Sequence, residues 1–167
     1  MHKIAICGCG GSGKSTVARQ LGARLGLPVT HLDAVFYDEQ WEPRSQDEFA
    51  SAQRRLVEAD CWVIDGNYAT TLPIRLAAAD VVIFLDIHPV VCLVGVLWRR
   101  WQHRGSDEVS RHLRGRLNWD FVRYILGYRK HMRPQVRALL DEHAAGEVVI
   151  LTSRLAVQRY LGHLAPT

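Results

Sequence analysis

Residues 8 to 15 read Gly-Cys-Gly-Gly-Ser-Gly-Lys-Ser, which fits G-x-x-x-x-G-K-[ST] at every fixed position. The run before it, KIAIC at 3 to 7, is continuously apolar and reads as a buried strand; the amphipathic run from 14 to 26 reads as a helix closed by Gly26 and Pro28. Such a glycine-rich turn lies here between an expected strand and an expected helix. Its successive amides turn inward at backbone angles that a Cβ disfavours, and they make an anion nest at the helix N-terminus. The expected guest is a chain of phosphates. Gly8, Gly10, Gly11, Ser12 and Gly13 supply the nest, Lys14 reaches the β- and γ-phosphates, Ser15 offers its hydroxyl to Mg²⁺, and Thr16 is placed to bond the α-phosphate. No N-K-x-D guanine motif occurs, so the expected nucleotide is ATP.

The rest of the chain repeats the strand and helix alternation. Apolar runs at 28 to 32, 61 to 65, 81 to 86 and 147 to 151 are expected strands, and their unbroken apolarity predicts a parallel sheet buried on both faces. Helices are expected at 45 to 59, 89 to 103, 113 to 132, 134 to 144 and 153 to 163. Ser45 with Glu48 forms a capping-box pattern, and Pro73 and Pro89 fit first-turn positions. The 167 residues suit one domain, 1 to 167. The longest apolar stretch, Val90 to Trp98, is too short to cross a bilayer, and the chain enters a strand almost at once, so a cytoplasmic protein without leader or membrane span is expected. Cys7, Cys9, Cys61 and Cys92 include no CxxC pair and are expected to be reduced. Cys9 alone sits where amide donors and Lys14 would favour a thiolate, although a small inert loop residue is the plainer reading.

The net charge of +4 is local: residues 98 to 133 hold 10 basic and 3 acidic side chains, whereas residues 1 to 97 hold 8 and 11. Arg99, Arg100, Arg104, Arg111, Arg114 and Arg116 flank a G-S-D-E tip at 105 to 108, which predicts a lid over about 99 to 116. In phosphoryl transfer, arginines that close over the γ-phosphate neutralise developing charge and exclude water. The same patch, interleaved with Trp98, Trp101 and Trp119, is also the composition of a nucleic-acid surface. The helical spacing of those tryptophans near aliphatic residues favours a core role instead.

Three carboxylates, Asp33, Asp65 and Asp86, follow strands and so are expected at the carboxyl edge of the sheet, where such folds bind ligands. Transfer chemistry needs one carboxylate for Mg²⁺ and another to accept a hydroxyl proton; Asp33 is the candidate base, and Asp65 with Ser15 the candidate metal pair. Asp65, Gly66, Asn67 and Tyr68 read as an acceptor wall, with Arg75 placed to clamp an acidic group or else to lie on the surface. An acceptor-binding region is expected at about 33 to 60. There Phe36, Tyr37 and Trp41 either cover a planar ligand or close a small core. Thr152, Ser153 and Arg154 open the last helix near the phosphate loop and are placed to frame adenine, with a plain N-cap as the alternative for Ser153.

Taken in order, G-x-x-x-x-G-K-S-T, H-L-D, I-D-G-N-Y with R-L and A-D, I-F-L-D and T-S-R make the chain resemble, over almost its full length, the bacterial DNA topology modulation proteins, or FlaR-like proteins. That family is similar to adenylate kinase, shikimate kinase and gluconate kinase. The resemblance implies a five-stranded parallel sheet in the order 2-3-1-4-5 with a mobile helical lid. It puts Lys14 and Ser15 on the phosphates and Mg²⁺, Asp33 at the acceptor, Arg100 and Arg104 in the lid, and Arg154 in the adenine loop. The expected activity is phosphoryl transfer from Mg·ATP to a small-molecule acceptor, a hydroxyl compound or a nucleoside monophosphate, by a monomer or homodimer. A nucleotide-binding regulator acting on DNA topology or another acidic partner, and a simple NTPase, are the competing readings.

Overall fold

The computed structural model describes residues 2–38, 40, 42–102 and 119–164, with the side chains of 99–102 outside that description. Five apolar runs, β1 (Lys3–Gly8), β2 (Val29–His31), β3 (Trp62–Asp65), β4 (Val81–Leu85) and β5 (Glu147–Leu151), pair in parallel in the order β2-β3-β1-β4-β5. Parallel neighbours require crossovers, and helices supply them. These are α1 (Lys14–Leu25), α2 (Leu32–Phe36), α3 (Gln46–Glu58), α4 (Leu72–Ala78) after a short 3₁₀ turn (Ala69–Thr71), α5 (Pro89–Gln102), α6 (Trp119–His143) and α7 (Arg154–His163).

The period of two along each strand sorts side chains into two apolar layers. Ile4, Ile6, Val63, Ile83 and Leu85 face Val17 and Leu21 of α1, Leu161 of α7 and Ile125 of α6. Ala5, Cys7, Ile64, Val82 and Phe84 face Phe49 of α3, Leu72 and Leu76 of α4, and Val136 and Leu140 of α6. One helix thus serves both faces. Its middle meets the sheet where Arg133 reaches Asp86, just beyond β4.

The end signals act as expected at several positions. Ser45 Oγ accepts from the Glu48 amide while the Glu48 carboxylate accepts from the Ser45 amide, a closed capping box. Gly26 adopts φ 65° and ends α1, and Ser153 Oγ caps α7 through the Ala156 amide at 3.1 Å.

Four features depart from the expectation. Pro134 does not divide two helices, because α6 runs through it; only one backbone donor is lost there, and the buried Ile125, Tyr128, Val136 and Leu140 on either side hold the line. The short α2 directly after β2 is a tertiary feature, its Leu32 fully buried, with no cap pattern to announce it. β5 is an edge strand, and Val148 and Ile150 stay 37% and 42% exposed instead of covered. Trp98 and Trp119 are 57% and 74% exposed, so they are not core residues; their spacing puts them on the outer faces of α5 and α6. Trp41, Trp101's side chain and most of the expected lid, including Arg104, Arg111, Arg114 and Arg116, lie outside the described residues.

Candidate active site

The glycine-rich turn joins β1 to α1 at the carboxyl edge of the sheet. Gly13 holds φ 98° at the N-cap of α1, a left-handed angle that side chains resist. Gly11 has φ 80°, and a Cβ there would stand 2.3 Å from the Cys92 carbonyl oxygen, so α5 packs directly on the loop. On its other side Gly10 abuts Phe121 of α6. The Gly8 amide donates to Asn67 Oδ1 at 3.4 Å. Ser12 is buried, its amide bonded to the Cys9 carbonyl and its Oγ without a partner among the described residues. Lys14 Nζ donates to the Cys9 carbonyl at 3.0 Å, folding the ammonium back over the loop, and the Thr16 amide bonds the Gly13 carbonyl.

Ser15 Oγ donates to Asp65 Oδ2 at 2.8 Å. Asp65, 4% exposed, ends β3, and its Oδ1 contacts Nδ1 of His31, its register partner on β2. The two residues expected to hold the metal are therefore neighbours, and a third, His31, fixes the carboxylate. In the sequence His31 shows only as part of the H-L-D run; the β2–β3 register shows what it faces. A hydroxyl beside a carboxylate is the oxygen donor set that suits a hard cation such as Mg²⁺, which takes one or two protein oxygens and completes its shell with phosphates and water. When bound there, the ion would neutralise charge on the transferring phosphate.

Asp33, on α2, is exposed and accepts a 2.7 Å hydrogen bond from Tyr68 Oη. Burial first, then the charge of Asp33, pushes the Tyr68 phenol well above its ordinary value, so it stays a donor. The Tyr68 ring packs on Phe36 and Phe49, and Phe36 on Tyr37: these aromatics close a small core. Asn67 turns inward. Its Nδ2 donates to Tyr124 Oη at 2.8 Å and its Oδ1 accepts from Tyr128 Oη at 3.4 Å, tying the loop after β3 to α6.

Arg75 departs most from expectation. It is neither a clamp open to ligand nor a surface residue, being 0% exposed. Nη1 donates to Gln53 Oε1, Nη2 to the Gly66 carbonyl at 3.2 Å, and Nε has no partner among the described residues. Desolvation pulls its pKa down to about 10 against the attraction of Cys7, Asp65 and Tyr68. Nothing in its sequence position signals burial; Arg75 follows a first-turn proline as a surface residue would.

Asp86 is committed elsewhere. At 2% exposure it accepts Arg133 Nε at 2.8 and 2.9 Å, and it pairs with Arg133 Nη2 at 2.8 Å and Arg137 at 3.4 Å. Arg100 belongs to the backbone of α5, and its side chain, like all of Arg104, lies outside the described residues. Arg154 is exposed at the start of α7 and lies against Gly95 of α5, whose added Cβ would meet its Nη2 at 2.7 Å. Gly95 also approaches the Gly11 carbonyl, which brings Arg154 near the phosphate loop. All four cysteines are free. Cys9 is fully buried, and a hydrogen bond with Cys92 together with desolvation pushes its thiol up, the reverse of an activated thiolate.

A parallel sheet ordered β2-β3-β1-β4-β5, with a G-x-x-x-x-G-K-S turn leaving its central strand, defines the P-loop kinase-type nucleotide-binding fold. The chain belongs to the AAA_18 family, described as an AAA domain, whose pattern covers residues 4–118. Among solved structures it is similar to shikimate kinase from Bacteroides thetaiotaomicron (16% identity, TM-score 0.63, covering 98% of this chain and 95% of that one). It is also similar to a gluconokinase from Sinorhizobium meliloti 1021 (18%, TM-score 0.52, 98% and 93%) and to deoxyadenosine kinase from M. mycoides with bound dATP (13%, TM-score 0.55, 98% and 99%). At such identities the likeness establishes the fold. No curated protein matched by sequence.

Proposed function

We propose that this chain transfers the γ-phosphoryl group of Mg·ATP to a small-molecule acceptor. The observation that carries the reading is the juxtaposition, across the phosphate loop, of Ser15 with Asp65 and of Asp65 with the turn leading to Tyr68 and Asp33. The loop amides from Gly8 to Ser15 and the α1 N-terminus hold the phosphates. Lys14 exchanges the Cys9 carbonyl for the β- and γ-oxygens. Ser15 and Asp65 face the ion, His31 holds Asp65 in place, and Asp33 receives the proton of the attacking group. Arg100 and Arg104 are assigned to the closing lid and Arg154 to the adenine side, where its place beside Gly95 near the loop supports the assignment. Asp65 and Gly66 shape the acceptor turn, with Arg75 beneath it.

The test is ADP release from Mg·ATP with and without a panel of hydroxylated metabolites, nucleosides, nucleoside monophosphates and sugar acids, using Lys14→Ala as blank. Stimulation by one acceptor supports the kinase. ADP release indifferent to every acceptor sinks it.

One observation favours a second reading. Trp98 and Trp119 are exposed at the two borders of the arginine-rich stretch, as aromatic platforms on a nucleic-acid surface would be. A nucleotide-dependent regulator of DNA topology, as the FlaR-like resemblance suggests, would bind DNA with an affinity falling steeply with salt. Loss of that binding in Trp98→Ala with Trp119→Ala would support it.

A further inference from the structure

Resting on the kinase reading, we infer that the acceptor is an uncharged, hydroxyl-bearing small molecule, and neither a phosphate nor a carboxylate compound. The acceptor side of the cleft carries one exposed carboxylate, Asp33, while Asp65 is buried and taken up by Ser15 and His31. Tyr68 occupies Asp33 Oδ1, which leaves Oδ2 to accept a hydrogen bond from an incoming hydroxyl. Two residues beyond Tyr68, the exposed Thr70 Oγ1 donates to Gln46 Oε1 at 3.1 Å, a neutral polar pair. An anionic group would meet the charge of Asp33 here.

Of the described basic side chains near this side, Arg75 and His31 are engaged within the fold, whereas Arg44 stays on the surface with one bond to the chain; the side chains of the expected lid arginines lie outside the described residues. Arg75 is sealed beneath the turn, bonded to Gln53 and to the Gly66 carbonyl. His31 is held by Asp65. Arg44, exposed in the loop between α2 and α3, donates Nε to the Val35 carbonyl at 3.0 Å.

The chemistry points the same way. A phosphate acceptor attacks through an oxygen already deprotonated near neutral pH, so a base beside it does nothing but repel. A hydroxyl acceptor needs the base. Its oxygen forms a bond to the γ-phosphorus as the bond from that phosphorus to the bridging oxygen of ADP breaks; its proton passes to Asp33; the products are ADP and a phosphomonoester. A site built to accept from a hydroxyl discriminates strongly against a compound that lacks it.

The experiment uses matched pairs as acceptors with Mg·ATP: a nucleoside against its 5′-monophosphate, and a sugar against its sugar acid, in the wild type, Asp33→Asn and Arg44→Gln. The expected result is transfer to the uncharged member with kcat/KM at least about 10-fold above its anionic partner. Asp33→Asn should lower that transfer by about 100-fold or more with ATP affinity kept, and Arg44→Gln should change it by less than about twofold. Preference for the anionic member, anionic transfer that survives Asp33→Asn, or an anionic acceptor lost in Arg44→Gln overturns the inference and leaves the kinase reading standing. Acceptor-independent ADP release with no transfer to either member of any pair overturns the kinase reading itself.

Discussion

Arg75 shows how one side chain decides what a site offers. Its guanidinium is fully buried with no carboxylate in ion-pair contact among the described residues, and its pKa of about 10 reflects that desolvation. Replacement by Met returns a burial cost of order 3 kcal/mol but strips a donor from Gln53 Oε1 and from the Gly66 carbonyl, at about 1–3 kcal/mol each. The two terms are of similar size and largely offset. Arg75→Met should therefore destabilise by no more than about 3 kcal/mol, at or below the low end of the roughly 3–5 kcal/mol typical of breaking a buried ion pair, and raise acceptor KM while nucleotide affinity holds. Denaturant melts and nucleotide titrations check both parts; a fall in nucleotide affinity would place Arg75 in the phosphate site instead. His31 acts through Asp65. His31→Ala should weaken Mn²⁺ binding to the protein–nucleotide complex by about 10-fold, read by electron paramagnetic resonance. Unchanged Mn²⁺ affinity would remove His31 from the metal argument.

Elements are tied to one another by a few polar anchors at the strand ends. Asp86 joins the end of β4 to the middle of α6 through Arg133, where Pro134 has removed a backbone donor. Asp80 does the equivalent at the start of the sheet: its Oδ2 accepts from the amides of His2 at 2.7 Å and Lys3 at 3.0 Å, pinning the first turn of β1 to the entry of β4. Those amides hold its carboxyl below the ordinary range. In the folded state the group thus binds its proton less readily than in the unfolded chain. Its contribution is present in full above the unfolded value near 4, and fades as pH falls through the folded value. Asp80→Asn should accordingly lower Tm at pH 7, with the gap to wild type closing as the pH is taken below about 4. A gap that is constant from pH 7 to 3 would show that the charge is not what the amides recognise.

At the scale of the molecule, the phosphate loop is packed between α5 and α6, through Gly11 with Cys92 on one side and Gly10 with Phe121 on the other. Ligand binding to that loop is thereby coupled to the packing of both helices. Mg·ATP at 100 times its dissociation constant should stabilise the fold by about 2.7 kcal/mol, which for a chain of 167 residues is a rise in Tm of roughly 5–10 °C. On the proposed reading, in which Lys14 holds the β- and γ-phosphates, Lys14→Ala should abolish the rise. A full shift retained in that variant would mean that nucleotide binds elsewhere.

Strands, their parallel pairing and the phosphate loop were legible because they depend on local pattern: unbroken apolarity marks a strand with two covered faces, as β1, β3 and β4 have and the edge strand β5 does not, and the G-x-x-x-x-G-K-S spacing needs no partner to be read. The strand order came from resemblance, since nothing local specifies which strand lies beside which. Tertiary structure alone decided the rest. Whether a carboxylate serves chemistry or architecture depends on what reaches it from distant elements, as Arg133 takes Asp86 and Tyr68 donates to Asp33. Whether Arg75 faces ligand or core depends on α3, 22 residues away in sequence through Gln53. Helix α6 runs through Pro134 because packing on both layers outweighs one missing hydrogen bond, a balance struck between segments far apart in the chain.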